Sequence, residues 1–530
     1  MSPLISVKPL RITLLTHSTL PRGGVVHALS LGEALADAGH EVRLLAPVQA
    51  GEVLFRAPRC RFIGVPATPV SRVTSAASHL ATHPTLANIE TQTTHSASSD
   101  ATSALPIDSD LEALVRLRID DWLRYFDTTP EAFDADVFHA QDPISANALA
   151  NLVEQGRLPG FVRTVHHLDV FANPQLAAWQ HRGFHAATHV CCVSEVWRDT
   201  LRREDGIDAA LVRNGVDRIR FSPEANEGDV ALHSLRVECN VVSKTASETE
   251  CNTKCNTERD ANDTPRAPVF LSVGGVEARK NTVNALAAFI LWREQQVYPS
   301  DAQWWIAGGA SLLDHRNYGN QFLTMAETAG LRVGRTLHSD ADIVLLGRID
   351  DQHMPALFRA ADALLFPSLV EGFGLVVLEA LSVGTPVITS RIAPFTEYLP
   401  DAAVEWADPL QPHSIADAMQ RSVQWTRASS SSRVASSALL DKEEASMHAR
   451  SAQRKHAGFE VADSFSWAHS ASQHSDLYRR WQLGAHRRVA RDGGGATPEL
   501  CADADAVAAV VAVPTVPLHP FVFHQESHHA

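Results

Sequence analysis

Glu371 and Glu379 stand eight positions apart in PSLVEGFGLVVLEALSVGTPVITS, residues 367 to 390, a stretch that opens as a turn and continues as an apolar helical run. A turn that feeds a helix points its free backbone N–H groups and the positive end of the helix dipole at one place, which makes a receptor for phosphate. The glycines let a ligand come close to the chain. Eight residues of helix span about 12 Å at 1.5 Å per residue, a separation that suits two hydroxyl-bearing rings flanking a diphosphate. The residues alone leave a second reading open: a helix glutamate is commonly just solvated, and a carboxylate at a helix start is favoured by the dipole without any ligand.

Other groups sit where chemistry could use them. Gly23 and Gly24 precede the first helical run, and their missing side chains would let a phosphate or an acceptor reach its N-terminus. That loop is neither a GxGxxG dinucleotide loop nor a GxxxxGK[ST] phosphate loop. Arg22 stands at the same place, as a lining residue of the acceptor entrance or as a solvated loop arginine. His166 follows the apolar run Phe161 to Val165, with His167 beside it, and His139 follows Asp136 to Phe138. A histidine at a strand end is as often structural as functional.

The elements that hold these residues repeat. RITLLTHSTLPRGGVVHALSLGEALADAGHEVRLLAP reads as a strand (12–16), a glycine-containing loop, a helix ended by Gly39 and a strand (41–46). DADVFHAQDP, FVRTVHHLDV and THVCCVSEV repeat a short apolar strand with polar residues at its carboxyl end. A second series starts at PVFLSVGG (268–275) and continues through QWWIAGG, DIVLLGR, ADALLFPS and TPVITS. Two strand–helix series predict an α/β protein of two Rossmann-like, doubly wound domains. The expected division is 1–215 and 216–460, joined near VRNGVDRIRFSP (212–223), followed by a docking helix at 461–483 with Trp467, Ala471, His474, Tyr478 and Trp481 on one stripe. Residues 71–110, 224–265 and 427–455 read as disordered insertions and 484–530 as a disordered tail, since their composition buries too little apolar area to offset ordering entropy.

Composition narrows the function. The 530 residues carry 46 Lys and Arg against 61 Asp and Glu, a formal charge of −15, which argues against nucleic acid as a partner. Seven irregularly spaced cysteines without a secretory leader read as reduced thiols in a cytoplasmic protein. Cys239, Cys251 and Cys255 lack paired zinc-ligand spacing. No run reaches the ~18 apolar residues of a membrane span, and peripheral membrane contact is left open.

The segment ADALLFPSLVEGFGLVVLEALSVGTPVI resembles the nucleotide-sugar site of glycosyltransferase family 4, whose signature is two glutamates with seven residues between them; Glu371 and Glu379 match it. VSEVWRDTL (193–201), NGVDRIRFSP (214–223) and VGGVEARKN (273–281) look like further segments of that family. PRGGVVHALSLGEALA, HAQDPISANAL and RTVHHLD are similar to a narrower, largely uncharacterised subset of it. The resemblance implies the GT-B fold, two Rossmann-like domains facing across a cleft. It implies that Glu371 binds donor-sugar hydroxyls and Glu379 the ribose, while the N–H groups of Gly372, Phe373 and Gly374 line the sugar–diphosphate site. Lys280 matches the family lysine on the diphosphate. Where the family has Gly-Arg this chain has Gly274-Gly275, and Arg279 is the candidate to supply the missing charge. Arg348 and Ile349 fall where the base is held through backbone contacts, His166 aligns with a histidine facing the reacting sugar, and His139 is an acceptor-side candidate.

The implied activity is retaining transfer of a hexose from a nucleoside diphosphate sugar to an acceptor hydroxyl on a small molecule, glycan or lipid, with no cofactor and no metal. In that chemistry a phosphate oxygen takes the acceptor's proton, so the glutamates orient the donor and are not the acid and nucleophile of a glycosidase. Two rival readings are a catalytically silent sugar-nucleotide binder or scaffold, and a sugar-nucleotide epimerase or hydrolase on the same fold.

Overall fold

A computed structural model describes residues 8–69, 107–224, 267–295, 302–309, 316–337, 340–431 and 442–492. The chain falls into two units: Met1–Arg479, which holds both sheets, and Arg480–Ala530, whose described part is the end of a helix reaching Asp492.

The first seven strands are β1 (Arg11–Leu15), β2 (Glu41–Val48), β3 (Arg61–Pro66), β4 (Val137–Ala140), β5 (Val162–Val165), β6 (His189–Cys192) and β7 (Ala210–Leu211). They form one parallel sheet in the order β3-β2-β1-β4-β5-β6-β7. The second sheet holds β8 (Val269–Val273), β9 (Gln303–Ala307), β10 (Val333–Gly334), β11 (Ile343–Gly347), β12 (Ala363–Phe366), β13 (Val387–Ser390) and β14 (Glu405–Ala407). It is also parallel, in the order β10-β11-β9-β8-β12-β13-β14. Strand order reverses between β1 and β4 in one sheet and between β8 and β12 in the other. At such switch points the loops splay apart and leave a crevice at the strands' carboxyl ends.

Both faces of the second sheet are covered, which is why its strands are apolar without alternation. On β8, Val269 and Leu271 enter one core with Trp305, Leu364 and Phe366. Phe270 enters the opposite core with Trp304, Phe289 and Trp292. The helices of the first sheet are α1 (Gly23–Asp37), α2 (Ile107–Thr128), α3 (Pro143–Glu154), α4 (Pro174–His185) and α5 (Glu195–Asp205).

Two crossings join the sheets side by side. Val216 N–H donates to Phe465 O at 3.0 Å and Val216 bridges Ser466. A Cβ on Gly215 would lie 2.2 Å from Trp467 N, so only glycine fits that approach. From there the helix Trp467–Asp492 lays Ala471, His474 and Tyr478 into the first sheet's side, with Tyr478 Oη 2.7 Å from His139 Nδ1 and Ser475 Oγ 2.9 Å from His40 Nε2.

Three expectations change. Residues 427–431 close the helix Pro412–Ser431, and 442–455 belong to the helix Lys442–Ser464, so the Ser-rich stretch 427–455 is helical in its described parts; 432–441 lie outside them. The reason is that this helix packs through long polar side chains: Arg454 reaches Glu405 at 3.0 Å and lies over the Trp425 ring at 5.3 Å. Residues 107–110 begin α2, and 484–492 continue the last helix in place of a disordered tail. The rest of 71–110 and 484–530, and 225–265, fall outside the described residues.

Candidate active site

The loops after β8 and β12 are tied into one unit. Leu369 N–H donates to Arg279 O at 2.9 Å. The Asn281 amide donates to Pro367 O at 3.0 Å and to Pro409 O at 2.7 Å, from a backbone held at φ 61°. Gly374 caps the helix Leu375–Val383 at φ 91°, and a Cβ there would sit 2.4 Å from Phe395 Cε1. Tyr398 fixes the turn from the other side, stacking on Phe373 at 4.9 Å and donating its hydroxyl to Phe373 O at 2.9 Å.

Glu371 is 6% exposed in that turn. Its Oε1 lies 2.6 Å from Lys280 Nζ and 3.3 Å from Arg279 Nη1. Burial alone would raise the Glu371 carboxyl, but Lys280 and then Arg279 outweigh it and hold it below the ordinary carboxylate range. Burial pulls Lys280 down against the attraction of Glu371, and its ammonium rests 4.3 Å above the Phe366 ring. Arg279 also faces Glu277 at 3.6 Å. The Gly274-Gly275 departure has a local cause: Gly275 sits at φ 78° with Gly309 O 3.0 Å from where a Cβ would be, a place an arginine would occupy only with strain.

Glu379 points elsewhere on the same helix and has no hydrogen-bond partner among the described residues. Burial pushes its carboxyl up to about 7, with Asp351 adding to the rise and Arg220 opposing it. Arg220 and Arg56 both reach Asp351, at 2.7 and 3.3 Å, and Arg56 also holds Glu33 of α1 at 2.6 Å. Arg348 is exposed and Ile349 packs on the second sheet's core, just past Gly347 at φ 65°.

The first sheet meets this turn directly. A Cβ on Gly372 would lie 2.3 Å from His166 O, and one on Gly24 3.2 Å from His166 Cδ2. His166, Gly24 and the Glu371 turn are therefore together, while Gly23 has open space around it. His166 Nε2 is 3.2 Å from Gln141 Oε1, and its ring stands edge-on to His27 at 4.6 Å. Burial, then His27 and Arg163, hold His166 well below the ordinary histidine value, so it is neutral at pH 7. Arg22 at the start of α1 has its Nε buried without a partner, and its guanidinium makes no hydrogen bond or ion pair among the described residues. Burial lowers it, with Glu277 opposing from the other sheet's loop. His139 differs from expectation: it is 0% exposed and both ring nitrogens are engaged, by Tyr478 Oη and Thr164 Oγ1 at 2.7 Å each, so it packs the sheet against the last helix.

Several site residues were not singled out from sequence. Gln141 carries a buried amide nitrogen without a partner beside His166. His27 donates its Nδ1–H to Asn214 Oδ1 at 2.8 Å and is held near 3 by burial. Trp197 donates its indole N–H to Glu371 O at 3.0 Å, and Glu397 caps α5, accepting from Glu195 N–H at 2.7 Å and Val196 N–H at 2.8 Å. Trp197 lies inside VSEVWRDTL, a segment whose register was the available signal.

The comparisons agree with this geometry. Residues 22–215 match the family described as "Glycosyl transferase 4-like domain", and residues 256–424 match "Glycosyl transferases group 1". An O-antigen chain mannosyltransferase B of Escherichia coli is 31% identical over 29% of this chain and 36% of its own. A UDP-Gal:alpha-D-GlcNAc-diphosphoundecaprenol alpha-1,3-galactosyltransferase of Escherichia coli is 25% identical over 38% of this chain and 40% of its own. The chain thus spans well under half the length of these curated relatives. The solved sucrose-phosphate synthase of Thermosynechococcus elongatus superposes with a TM-score of 0.60 over 89% of this chain and 99% of that one, at 19% identity, a likeness of fold alone. Two parallel seven-stranded sheets facing through their carboxyl-end loops, with both halves matched in order, place the chain in the GT-B-fold glycosyltransferases of the family 4 type.

Proposed function

We propose that the chain transfers a hexose from a nucleoside diphosphate sugar to an acceptor hydroxyl with retention at the anomeric carbon. The observation that supports this best is the buried Glu371 clamped by Lys280 and Arg279, next to Gly372, which abuts His166 O at the junction of the two sheets. In this reading the diphosphate takes over part of the Lys280 and Arg279 contacts as it binds, and the N–H groups of Gly372, Phe373 and Gly374 face the sugar and diphosphate. Charge developing on the leaving oxygens is then met by fixed positive groups, which lowers the barrier without reorganisation. Glu371, freed on one side, accepts from the sugar's hydroxyls. Glu379 accepts from the ribose, while the backbone around Arg348 and Ile349 holds the base.

Neutral His166 donates to or accepts from the reacting sugar, oriented by Gln141 and His27. Arg22, whose guanidinium has no hydrogen-bond or ion-pair partner among the described residues, adds positive charge for the diphosphate or the acceptor. The acceptor hydroxyl attacks from the leaving-group side and passes its proton to a phosphate oxygen, so the reading needs no protein nucleophile, cofactor or divalent metal. The mannosyl- and galactosyltransferase relatives support a hexose. A cytoplasmic setting belongs to the same proposal, supported by free, buried thiols at Cys60, Cys191 and Cys192. No helix among the described residues is long and apolar enough to cross a membrane.

A thermal-shift screen of nucleotide sugars tests the donor, because ligand at about 100 times Kd stabilises by about 2.7 kcal/mol. Release of nucleoside diphosphate is then measured with and without an acceptor panel, in the wild type and in His166→Ala. Transfer requires acceptor-dependent release, and His166→Ala should lower kcat and kcat/KM together while donor affinity holds. Release independent of acceptor would make the protein a hydrolase, and stabilisation without release a silent binder.

A further inference from the structure

We infer that His181, His185 and Asp205 form a binding site for one divalent transition-metal ion on the first sheet's helical layer, apart from the donor turn. His181 and His185 are four residues apart on α4 and so share a helix face. Asp205 ends α5, and its Oδ1 lies 3.1 Å from His181 Nδ1 and 3.2 Å from His185 Nε2. All three potential ligand atoms fall within 4.8 Å of one another. Ligands 2.0–2.2 Å from a tetrahedral ion are about 3.3 Å apart, so small side-chain rotations would admit one.

The surroundings ask for a cation. The Asp205 side chain is only 7% exposed and stands at a helix C-terminus, where the dipole disfavours negative charge. Among the described residues the two imidazoles are its only ion-pair or hydrogen-bond partners. The arginines on the same helices are committed elsewhere: Arg182 to Glu154 and Asn151, Arg198 to Asp199, Arg202 to Asp208, Arg203 to Glu204. The imidazoles are also held in place. Gly183 lets α4 sit close on α3, with Ala146 Cβ 3.3 Å from where a Cβ would be. Phe184, 1% exposed, puts its ring 5.3 Å from His181 and 5.0 Å from His185.

Two nitrogens and one carboxylate oxygen suit Zn²⁺, Co²⁺, Ni²⁺ or Cu²⁺ better than Mg²⁺ or Ca²⁺, and water would complete the coordination. The position fixes the role. Helices that follow parallel strands run back along the sheet, so the ends of α4 and α5 lie at the opposite edge from Gly24 and His166. The ion would clasp α4 to α5 and take no part in glycosyl transfer.

The full-length chain, stripped with a chelator, is titrated with Co²⁺ while visible absorption is followed, and its melting is measured with and without Zn²⁺. The comparison is with His181→Ala/His185→Ala and, keeping the side-chain size, Asp205→Asn. The wild type should bind one more equivalent than the double variant and show a Zn²⁺-dependent rise in Tm that the double variant lacks. Asp205→Asn should bind that equivalent at least about tenfold more weakly. Equal stoichiometry and equal Zn²⁺ response in the wild type and the double variant would overturn the site.

Discussion

Replacing Glu379 by Gln should stabilise the empty protein above neutral pH and weaken its hold on a nucleoside diphosphate. The carboxyl is raised from 4.5 to about 7 because the half-buried side chain is desolvated, with Asp351 adding to the rise and only partial relief from Arg220. At 1.36 kcal/mol per pK unit the ionised form costs about 3 kcal/mol in the fold. Below about pH 4.5 folded and unfolded chains both carry the proton, and the cost is absent. Between there and about 7 the folded chain keeps a proton the unfolded chain has lost, so stability from this group falls as pH rises and is fully lost above 7. Glutamine is neutral throughout and escapes the penalty, less about 1 kcal/mol for an amide without a partner. The net gain at pH 8 is about 2 kcal/mol, roughly 4–8 °C in Tm for a domain of this size, shrinking toward zero near pH 5.

Ribose hydroxyls would reverse the balance, since hydrogen bonds to the carboxylate favour its charged form by about 1.5–3 kcal/mol. Nucleotide binding should then release a proton near pH 6, and Glu379→Gln should bind roughly tenfold more weakly or worse. Melting curves at pH 5, 6.5 and 8, with calorimetry in two buffers of different ionisation enthalpy, measure both effects. Parallel Tm-against-pH curves for the two proteins, or nucleotide affinity unchanged by the substitution, would refute the reasoning.

Lys280→Ala should cut turnover more than Arg279→Ala, because Lys280 lies at 2.6 Å from Glu371 and Arg279 at 3.3 Å; steady-state rates in the opposite order would give Arg279 the main charge contact. Gly372→Ala places a methyl 2.3 Å from His166 O, so the two loops must part, and a displacement of about 1 Å can cost 10²-fold in rate. Gly319→Ala, in the helix Arg316–Thr328 with nothing within 4 Å of the added atom, is the control and should raise Tm slightly; equal rates for the two glycine variants would remove the approach from the mechanism. Tyr478→Phe removes a hydroxyl 2.7 Å from buried His139 and should lower Tm while leaving nucleotide binding intact.

The turn before the helix Leu375–Val383 was legible because its pattern is local: Glu371, the flanking glycines and Glu379 lie within nine residues, and each backbone requirement shows in the residue type. The central strands were legible for a similar reason, being continuous apolar runs closed by polar ends. The edge strands were not: β7, β10 and β14 are only two or three residues long, and β3, bonded on one side, is mostly half-buried. Residues 442–455 were hidden because their part of the helix Lys442–Ser464 packs through long side chains such as Arg454, while the buried apolar residues of that helix, Ala457, Val461 and Ala462, come after them. Gln141, His27, Trp197 and Glu397 act only through partners far along the chain, such as Asn214 for His27, and no spacing in the sequence encodes such a pair.

Those long-range partners also set how the Glu371 turn is held. Trp197 holds Glu371 O, Glu397 caps the first turn of α5, and Asp351 is shared by Arg56 and Arg220, so three contacts tie the second sheet's loops to the first domain beside the reacting groups. None of them touches the pair of glutamates through its carboxylates. Opening the cleft would break the Trp197 hydrogen bond and uncap α5 together, leaving two backbone N–H groups and a carboxylate to find water. The cost favours the closed arrangement, in which His166 faces the turn; on the proposed function that arrangement would keep water from a bound donor.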